Sequence, residues 1–239
     1  MGVLIANCGH DERGRYRGGK AGDQTGTEYR IRYWYNRPWN VVLRHPDPMV
    51  QSMLARLART AAENDHIGYD QGERETFYNA LKKAGWWPSR IKVDCEADCS
   101  SSTAAIVAAA AHHLGYGKMQ GINPGNWTGS LRESLAHYGF QVLTAPKYLT
   151  SDRYIRAGDV LLNEEHHVTI AITSGSLAAK YSKYTAVDKT PCRAGHGGKY
   201  PITRYRAKGK TVKVSEWHGK WAKTAKGDWV YYKHLKKVS

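Results

Sequence analysis

Cys99 and His167 are the residues whose types and settings could do nucleophilic chemistry together. Cys99 stands in Asp98-Cys99-Ser100-Ser101, ahead of the alanine-rich run 104–111. The thiolate is the reactive form of cysteine, and a free thiol titrates near 8.5. A place at a helix N-terminus favours the anion, because unpaired backbone N–H groups and the helix dipole point toward it. Ser100 and Ser101 are small enough for a substrate backbone to come close. A buried structural cysteine beside capping residues would give the same local pattern, so the motif alone leaves both readings open. The second element is Glu164-Glu165-His166-His167-Val168-Thr169-Ile170-Ala171-Ile172. A histidine at the start of a strand can face a groove, and a general base must come within about 3 Å of its proton. Side chains alternate across a strand, so only one of His166 and His167 can face the thiol. No carboxylate or cysteine stands near the two histidines at metal-ligand spacing, and Cys95 and Cys99 form a C-x-x-x-C rather than a C-x-x-C. The sequence calls for no metal and no cofactor.

The elements that must position this pair read as follows. Residues 2–7 are a short apolar strand, and 9–27 form a Gly-rich polar loop. Residues 28–44 read as one or two strands broken at Pro38. Asp47-Pro48 opens a helix to about Glu63, with Met49, Met53, Leu54 and Leu57 on its apolar stripe. A second helix has Asp70 as its cap, carries Phe77, Leu81 and Ala84, and ends at Gly85. The third begins at Cys99 and runs to Leu114, with Gly115 and Gly117 closing it. Residues 123–129 are a loop, with Thr128 capping a short helix that holds Leu131 and Leu135. Strands follow at 140–144, 159–162 and 167–173. Helices first and strands after is an α+β layout. The texture then changes to short β runs with Gly and Lys turns, and the boundary falls near 174–182. This gives two domains, 1–175 and 180–239.

The charge is uneven. The 239-residue chain carries +15, and residues 204–239 hold eleven Lys and Arg against Glu216 and Asp228. Such a tail suits a polyanionic partner: nucleic acid, an acidic membrane face or a wall polymer. The 8 Trp and 16 Tyr against 2 Phe suit surfaces that hold sugars, or equally a small β-rich core. Four cysteines are too few for a disulfide scaffold. No run approaches the ~20 apolar residues of a membrane span. Residues 1–9 lack the basic start of a signal peptide. The expectation is synthesis in the cytoplasm and, for action outside, release by another route such as a holin-type pore.

Asp98-Cys99-Ser100-Ser101, then Gly158-Asp159-Val160-Leu161-Leu162, then His167-Val168-Thr169-Ile170 together resemble the NlpC-type, papain-like peptidoglycan hydrolases. The resemblance implies a helix bundle on a small antiparallel sheet, Cys99 as nucleophile and, by motif register, His167 as base. The block GGKAGDQTGTEY…WYNRPWNVVLR is similar to the start of phage and prophage lysins of Gram-positive bacteria. The family places a third polar residue on the strand after the histidine strand. About twelve residues on from His167 lies Ala179, which is not polar, so Asp23, Gln24 and Glu28 in the N-terminal loop become the candidates for orienting the imidazole or building an oxyanion hole. Residues 23–26 would also serve as an ordinary Asx/Gly turn. From Tyr184 on, the chain resembles bacterial SH3-type domains, which bind cell walls. That implies a small barrel with Trp217, Trp221, Trp229 and Tyr231 as candidate wall-binding residues, some of them core, and Cys192 buried.

Together these imply a lysin-like enzyme acting on bacterial peptidoglycan, held on anionic wall polymers by its basic tail. The bond cut is a D,L-peptide bond or the muramoyl–L-alanine amide. Two other classes stand beside it: a non-catalytic wall-binding or nucleic-acid-binding protein with an incomplete site, and a cytosolic cysteine protease or amidase. Nucleic-acid binding would show a steep salt dependence.

Overall fold

The computed structural model describes residues 2–178 and 182–238, and the chain divides into two compact units, residues 1–178 and 179–239. Ala179 and part of the 174–182 boundary segment lie outside the described residues.

The first unit is a mixed α/β structure. The elements are β1 (Leu4–Cys8), β2 (Tyr29–Tyr33), β3 (Val41–Arg44), α1 (Pro48–Ala62), β4 (Ile67–Tyr69), α2 (Thr76–Lys83), β5 (Cys95–Ala97), α3 (Cys99–Leu114), α4 (Leu131–His137), β6 (Gln141–Leu143), β7 (Val160–Asn163) and β8 (His167–Ala171). Six strands form one antiparallel sheet in the order β2-β1-β8-β7-β3-β6. On one face, Ala6, Cys8, Val168 and Ile170 pack against the apolar stripes of α1, α2 and α3. On the other, Ile5, Val42, Leu161 and Ala171 pack with Trp39 and Ile155. Every residue of α3 from Cys99 to Ala111 is buried. Alanine makes this possible, because a helix without bulk can lie close to a sheet on one side and to helices on others. Gly115, at φ 79°, ends it in the left-handed conformation.

Local signals placed α1 and α3 well. Asp47 accepts from the Met49 N–H with Pro48 at the first position. The expected cap at Asp70 is corrected. Helix α2 starts at Thr76, and the Asp70 carboxylate instead takes the backbone N–H groups of Gly18 and Gly72, tying the N-terminal loop down. The expected cap at Thr128 is corrected likewise, since α4 starts at Leu131 behind Ser130. The parallel pair β4 and β5 was not anticipated; three residues carry too little periodicity to read.

The Gly158-Asp159 motif has a structural basis. Gly158 sits at φ 88°, and a Cβ there would meet the Gln51 carbonyl oxygen at 2.1 Å. Asp159, fully buried, receives Arg44 Nε at 2.7 Å and an Arg44 terminal nitrogen at 2.6 Å, and the Arg156 N–H at 2.7 Å. Removing one partner of such a pair strands the other charge in the interior.

The second unit is all β: β9 (Ser182–Ala186), β10 (Thr190–Arg193), β11 (Ile202–Arg206), β12 (Thr211–His218), β13 (Trp221–Thr224), β14 (Trp229–Tyr231) and β15 (Leu235–Lys237). They form one antiparallel sheet in the order β11-β10-β14-β13-β12-β9-β15. Val212, Val214, Trp217, Ala222 and Val230 fill its interior. This unit holds 16 Lys and Arg against 3 Asp and Glu, net +13, so the first unit carries only +2 of the total. No helix among the described residues is long and apolar enough to cross a membrane.

Asp159→Asn is expected to destabilise the first unit by about 3 kcal/mol, the scale for breaking a buried ion pair. Urea unfolding followed by tryptophan fluorescence checks this, and an unchanged midpoint would remove Asp159 from the interior's support.

Candidate active site

Cys99 is the first residue of α3. Its predecessor Asp98 is the N-cap, and one carboxylate oxygen accepts the Ser100 N–H at 2.9 Å and the Ser101 N–H at 2.7 Å. The Ser101 hydroxyl returns a bond to the Asp98 N–H, completing a capping box. Ser100 and Ser101 are thus committed to capping. Arg74 closes the cap from outside, with Nε 3.0 Å from Asp98 and a terminal nitrogen 2.9 Å from Ser100 Oγ and 2.6 Å from the Asn126 carbonyl.

His167 opens β8, and the backbone N–H of the next residue, Val168, is directed at the Cys99 sulphur. The start of the histidine strand therefore meets the start of the cysteine helix. His167 Nε2 lies 2.9 Å from Asn7 Oδ1, and both groups are buried. The Tyr35 hydroxyl donates to the same Oδ1 at 3.4 Å. With the amide oxygen as acceptor, Nε2 carries the proton and Nδ1 is the free base. The Trp39 ring lies 6.3 Å from the imidazole and 5.8 Å from the Tyr35 ring, so aromatic groups wall the histidine on that side.

Asn7 is the partner that sequence reasoning missed. It lies on the first strand, which pairs with β8 in the register Ile5↔Ala171 and Ala6↔Ile170. The signal that could have found it is a polar residue ending an apolar strand, where burial is unfavourable without a hydrogen bond. The three loop candidates are placed elsewhere. Asp23 accepts from the backbone N–H groups of Thr25, Thr27, Glu28 and Tyr29. Glu28 is buried and accepts from the Gln24 and Tyr69 N–H groups at 2.9 and 3.1 Å. The Gln24 amide donates to the carbonyls of Ala21 and Gly22. All three hold the N-terminal loop together, and Asn7 holds the imidazole. His166 is exposed. Among the described residues no cluster of three or more His, Cys, Asp or Glu is arranged to hold a metal ion.

Burial, foremost, pushes the Cys99 thiol up to about 12, with the Asp98 carboxylate adding to it, while Val168, Ser100 and Arg74 act the other way. Burial also pulls His167 down to about 4, reinforced by the positive charges of Arg37 and Arg32. The resting pair is therefore thiol and neutral imidazole, and a neutral imidazole is able to accept a proton at physiological pH.

The wall-binding candidates separate by face. Trp217 is buried, with its ring 5.7 Å from that of Tyr184, which removes it from any binding surface. Trp221, Lys223, Trp229 and Tyr231 share the opposite face, because their neighbours Ala222 and Val230 point inward. The Trp221 and Tyr231 rings lie 5.2 Å apart.

Cys99 thus opens a helix, His167 opens a strand, and the buried Asn7 amide stands behind the imidazole. The family model of the endolysin-like domain matches residues 5–178, and the chain belongs to that family. Membership points to a wall-lytic role of phage-lysin type, with peptidoglycan as substrate. No curated protein and no solved structure gives a significant match.

The depressed His167 has a consequence for stability. An unfolded imidazole protonates near pH 6.5, the folded one only near 4. Between these values the unfolded chain binds the extra proton, so stability falls as pH drops through that window, by up to about 3 kcal/mol. Thermal unfolding at pH 7 and pH 4.5 is expected to show a larger loss in the wild type than in His167→Gln. Equal losses would contradict a buried neutral imidazole.

Proposed function

We propose that this chain is a cysteine-dependent peptidoglycan hydrolase, papain-like in its first unit, with Cys99 as nucleophile, His167 as base and Asn7 as the residue that orients the imidazole. The observation that carries the reading is the meeting of the two element starts: the Val168 N–H directed at the Cys99 sulphur, with Asn7 fixing the far nitrogen of the preceding His167. Nδ1 of His167 takes the thiol proton as the sulphur attacks an amide carbonyl of the wall peptide stem. The Cys99 N–H donates to the oxygen that becomes negative. The C–N bond breaks, the amine leaves with the proton from His167, and water, activated by the same nitrogen, hydrolyses the thioester. The bond is a D,L-peptide bond or the muramoyl–L-alanine amide. The usual third residue of the NlpC-type pattern follows the histidine strand. In this reading Asn7, on the first strand beside β8, takes the part of that third residue.

The second unit is read as an SH3-like wall-binding domain. Its net +13 suits anionic wall polymers, and the face of Trp221, Trp229 and Tyr231 suits stacking on sugars or stem peptides. Delivery to the wall by a holin-type pore or another export route belongs to the same reading.

Purified Gram-positive walls are expected to lose turbidity and release new amines with the wild type and not with Cys99→Ala. An inert wild type, or an equally active variant, sinks the cysteine mechanism and leaves the non-catalytic binder. Asn7→Ala is expected to lower kcat by at least roughly tenfold without unfolding the protein. Full-length protein carrying Trp221→Ala, Trp229→Ala and Tyr231→Ala together is expected to pellet less with walls while still cleaving soluble stem peptides. Undiminished pelleting would take the binding role from that face.

A further inference from the structure

Beyond the catalytic residues, the segment 30–39 surrounds the His167 side of the site with cations that lack acidic partners. Arg30 and Arg32 lie on β2 directly opposite Asn7 and Ile5 of β1, so their side chains share the sheet face of Asn7. The Arg32 guanidinium sits 4.2 Å over the Tyr35 ring, and Tyr35 in turn donates to Asn7. Arg37 lies two residues before Trp39, whose ring flanks the imidazole. Both Arg37 and Arg32 are near enough for their charge to act on His167. Among the described residues, no Asp or Glu forms an ion pair with Arg30, Arg32 or Arg37. Arg30 Nε and Arg37 Nε are buried without an acceptor, as is the indole N–H of Trp34 between them in sequence. Buried donors left unpaired are unfavourable, and such groups are normally satisfied by a partner. The first unit is close to neutral overall, so these cations are not part of a general basic coat.

We infer that Arg32 and Arg37 form a carboxylate-binding subsite that seats an acidic group of the peptide substrate beside His167. This rests on the reading of the site as a wall-peptide hydrolase, and it deepens it by naming the chemistry that selects the substrate. Stem peptides of the wall carry free carboxylates close to their amide bonds, and a guanidinium fork matches a carboxylate in shape and charge. Tyr35 holds the Arg32 guanidinium from below by cation–π contact, which limits the ordering lost on binding. The partly buried setting also shields the contact from salt more than a surface pair would be.

The test uses the full chain and two synthetic stem peptides, one with its side-chain and α-carboxylates free and one with them converted to carboxamides. The wild type is expected to favour the carboxylate peptide by roughly tenfold or more in kcat/KM, the scale of one charge-assisted hydrogen bond. Arg32→Gln and Arg37→Gln are each expected to raise KM for the carboxylate peptide and to treat the two peptides nearly alike. Arg32→Lys and Arg37→Lys are expected to restore part of the preference. Binding is read separately by tryptophan fluorescence in Cys99→Ala, with Trp34 and Trp39 as reporters. A carboxylate preference in binding without any turnover in the wild type would sink the hydrolase reading and leave the subsite standing. Equal binding and turnover of both peptides by the wild type, or a preference that survives both glutamine variants, would overturn the subsite.

Discussion

The antiparallel pairing of the first strand with β8 is the constraint on which the site depends. It brings Asn7 to His167 across almost the whole length of the first unit. A one-residue slip would turn Asn7 to the other face and put an apolar neighbour against the imidazole. The register is held on both sides of the sheet. Ala6 and Cys8 fit the helix layer while Ile5 packs with Trp39 and Ala171, so a slip would expose one apolar set and bury polar groups with the other. The Thr169 hydroxyl, which donates to the Ala6 carbonyl at 2.5 Å, fixes the same register from β8. The Asn7–His167 contact and folding specificity therefore draw on the same strand pairing.

Burial sets the chemistry of the pair it brings together. Desolvation moves the thiol up and the imidazole down, away from the ion pair that two exposed groups could form. In the proposed mechanism, proton transfer would then be coupled to attack rather than completed beforehand. The surroundings of the thiol act in both directions. The Asp98 cap opposes a thiolate, and Arg74 offsets Asp98 by pairing with it at 3.0 Å. The capping box draws on the Asp98 carboxylate to start the helix there. Arg74 is what partly cancels the effect of that carboxylate on the thiol at the next residue.

What the sequence made legible was local. Asp47-Pro48 and Asp98-Cys99-Ser100-Ser101 are cap signals complete within four residues, and both helices start where those signals place them. The partner of His167 was not legible, because its position follows from strand order rather than from spacing along the chain. The family pattern looks to the strand after the histidine strand and the sequence pointed to the N-terminal loop, whereas the strand beside β8 is β1, the first of the chain. Which of the candidate aromatics belongs to the core was not legible for a related reason. Simple alternation from Val212 and Val214 would point residue 216 inward and 217 outward. A register shift between Val214 and Glu216 inverts the pattern, so Trp217 enters the core and Glu216 meets Lys223 at the surface. Such an irregularity leaves no compositional mark.

The charge distribution separates two tasks. The second unit concentrates net +13 on a small sheet, with few carboxylates to neutralise it. Attraction of that kind is long-ranged, indifferent to detail and weakened by salt over a Debye length of about 8 Å. It suits holding a polymer, not choosing a bond. The first unit is nearly balanced, and several of its arginines have acidic or aromatic company: Arg13 with Asp11, Arg44 with Asp159, Arg74 with Asp98, Arg132 with Glu164, Arg56 over Trp87. Arg32 and Arg37 of segment 30–39 differ in lying near His167 with no acidic partner among the described residues. Their proximity to His167 has a cost, since a positive field opposes the imidazolium that forms as the thiol gives up its proton. A carboxylate seated between them would cancel that field only when substrate is present. The base would then be strengthened at the moment the amide is in place, which ties selection of the substrate to activation of the nucleophile.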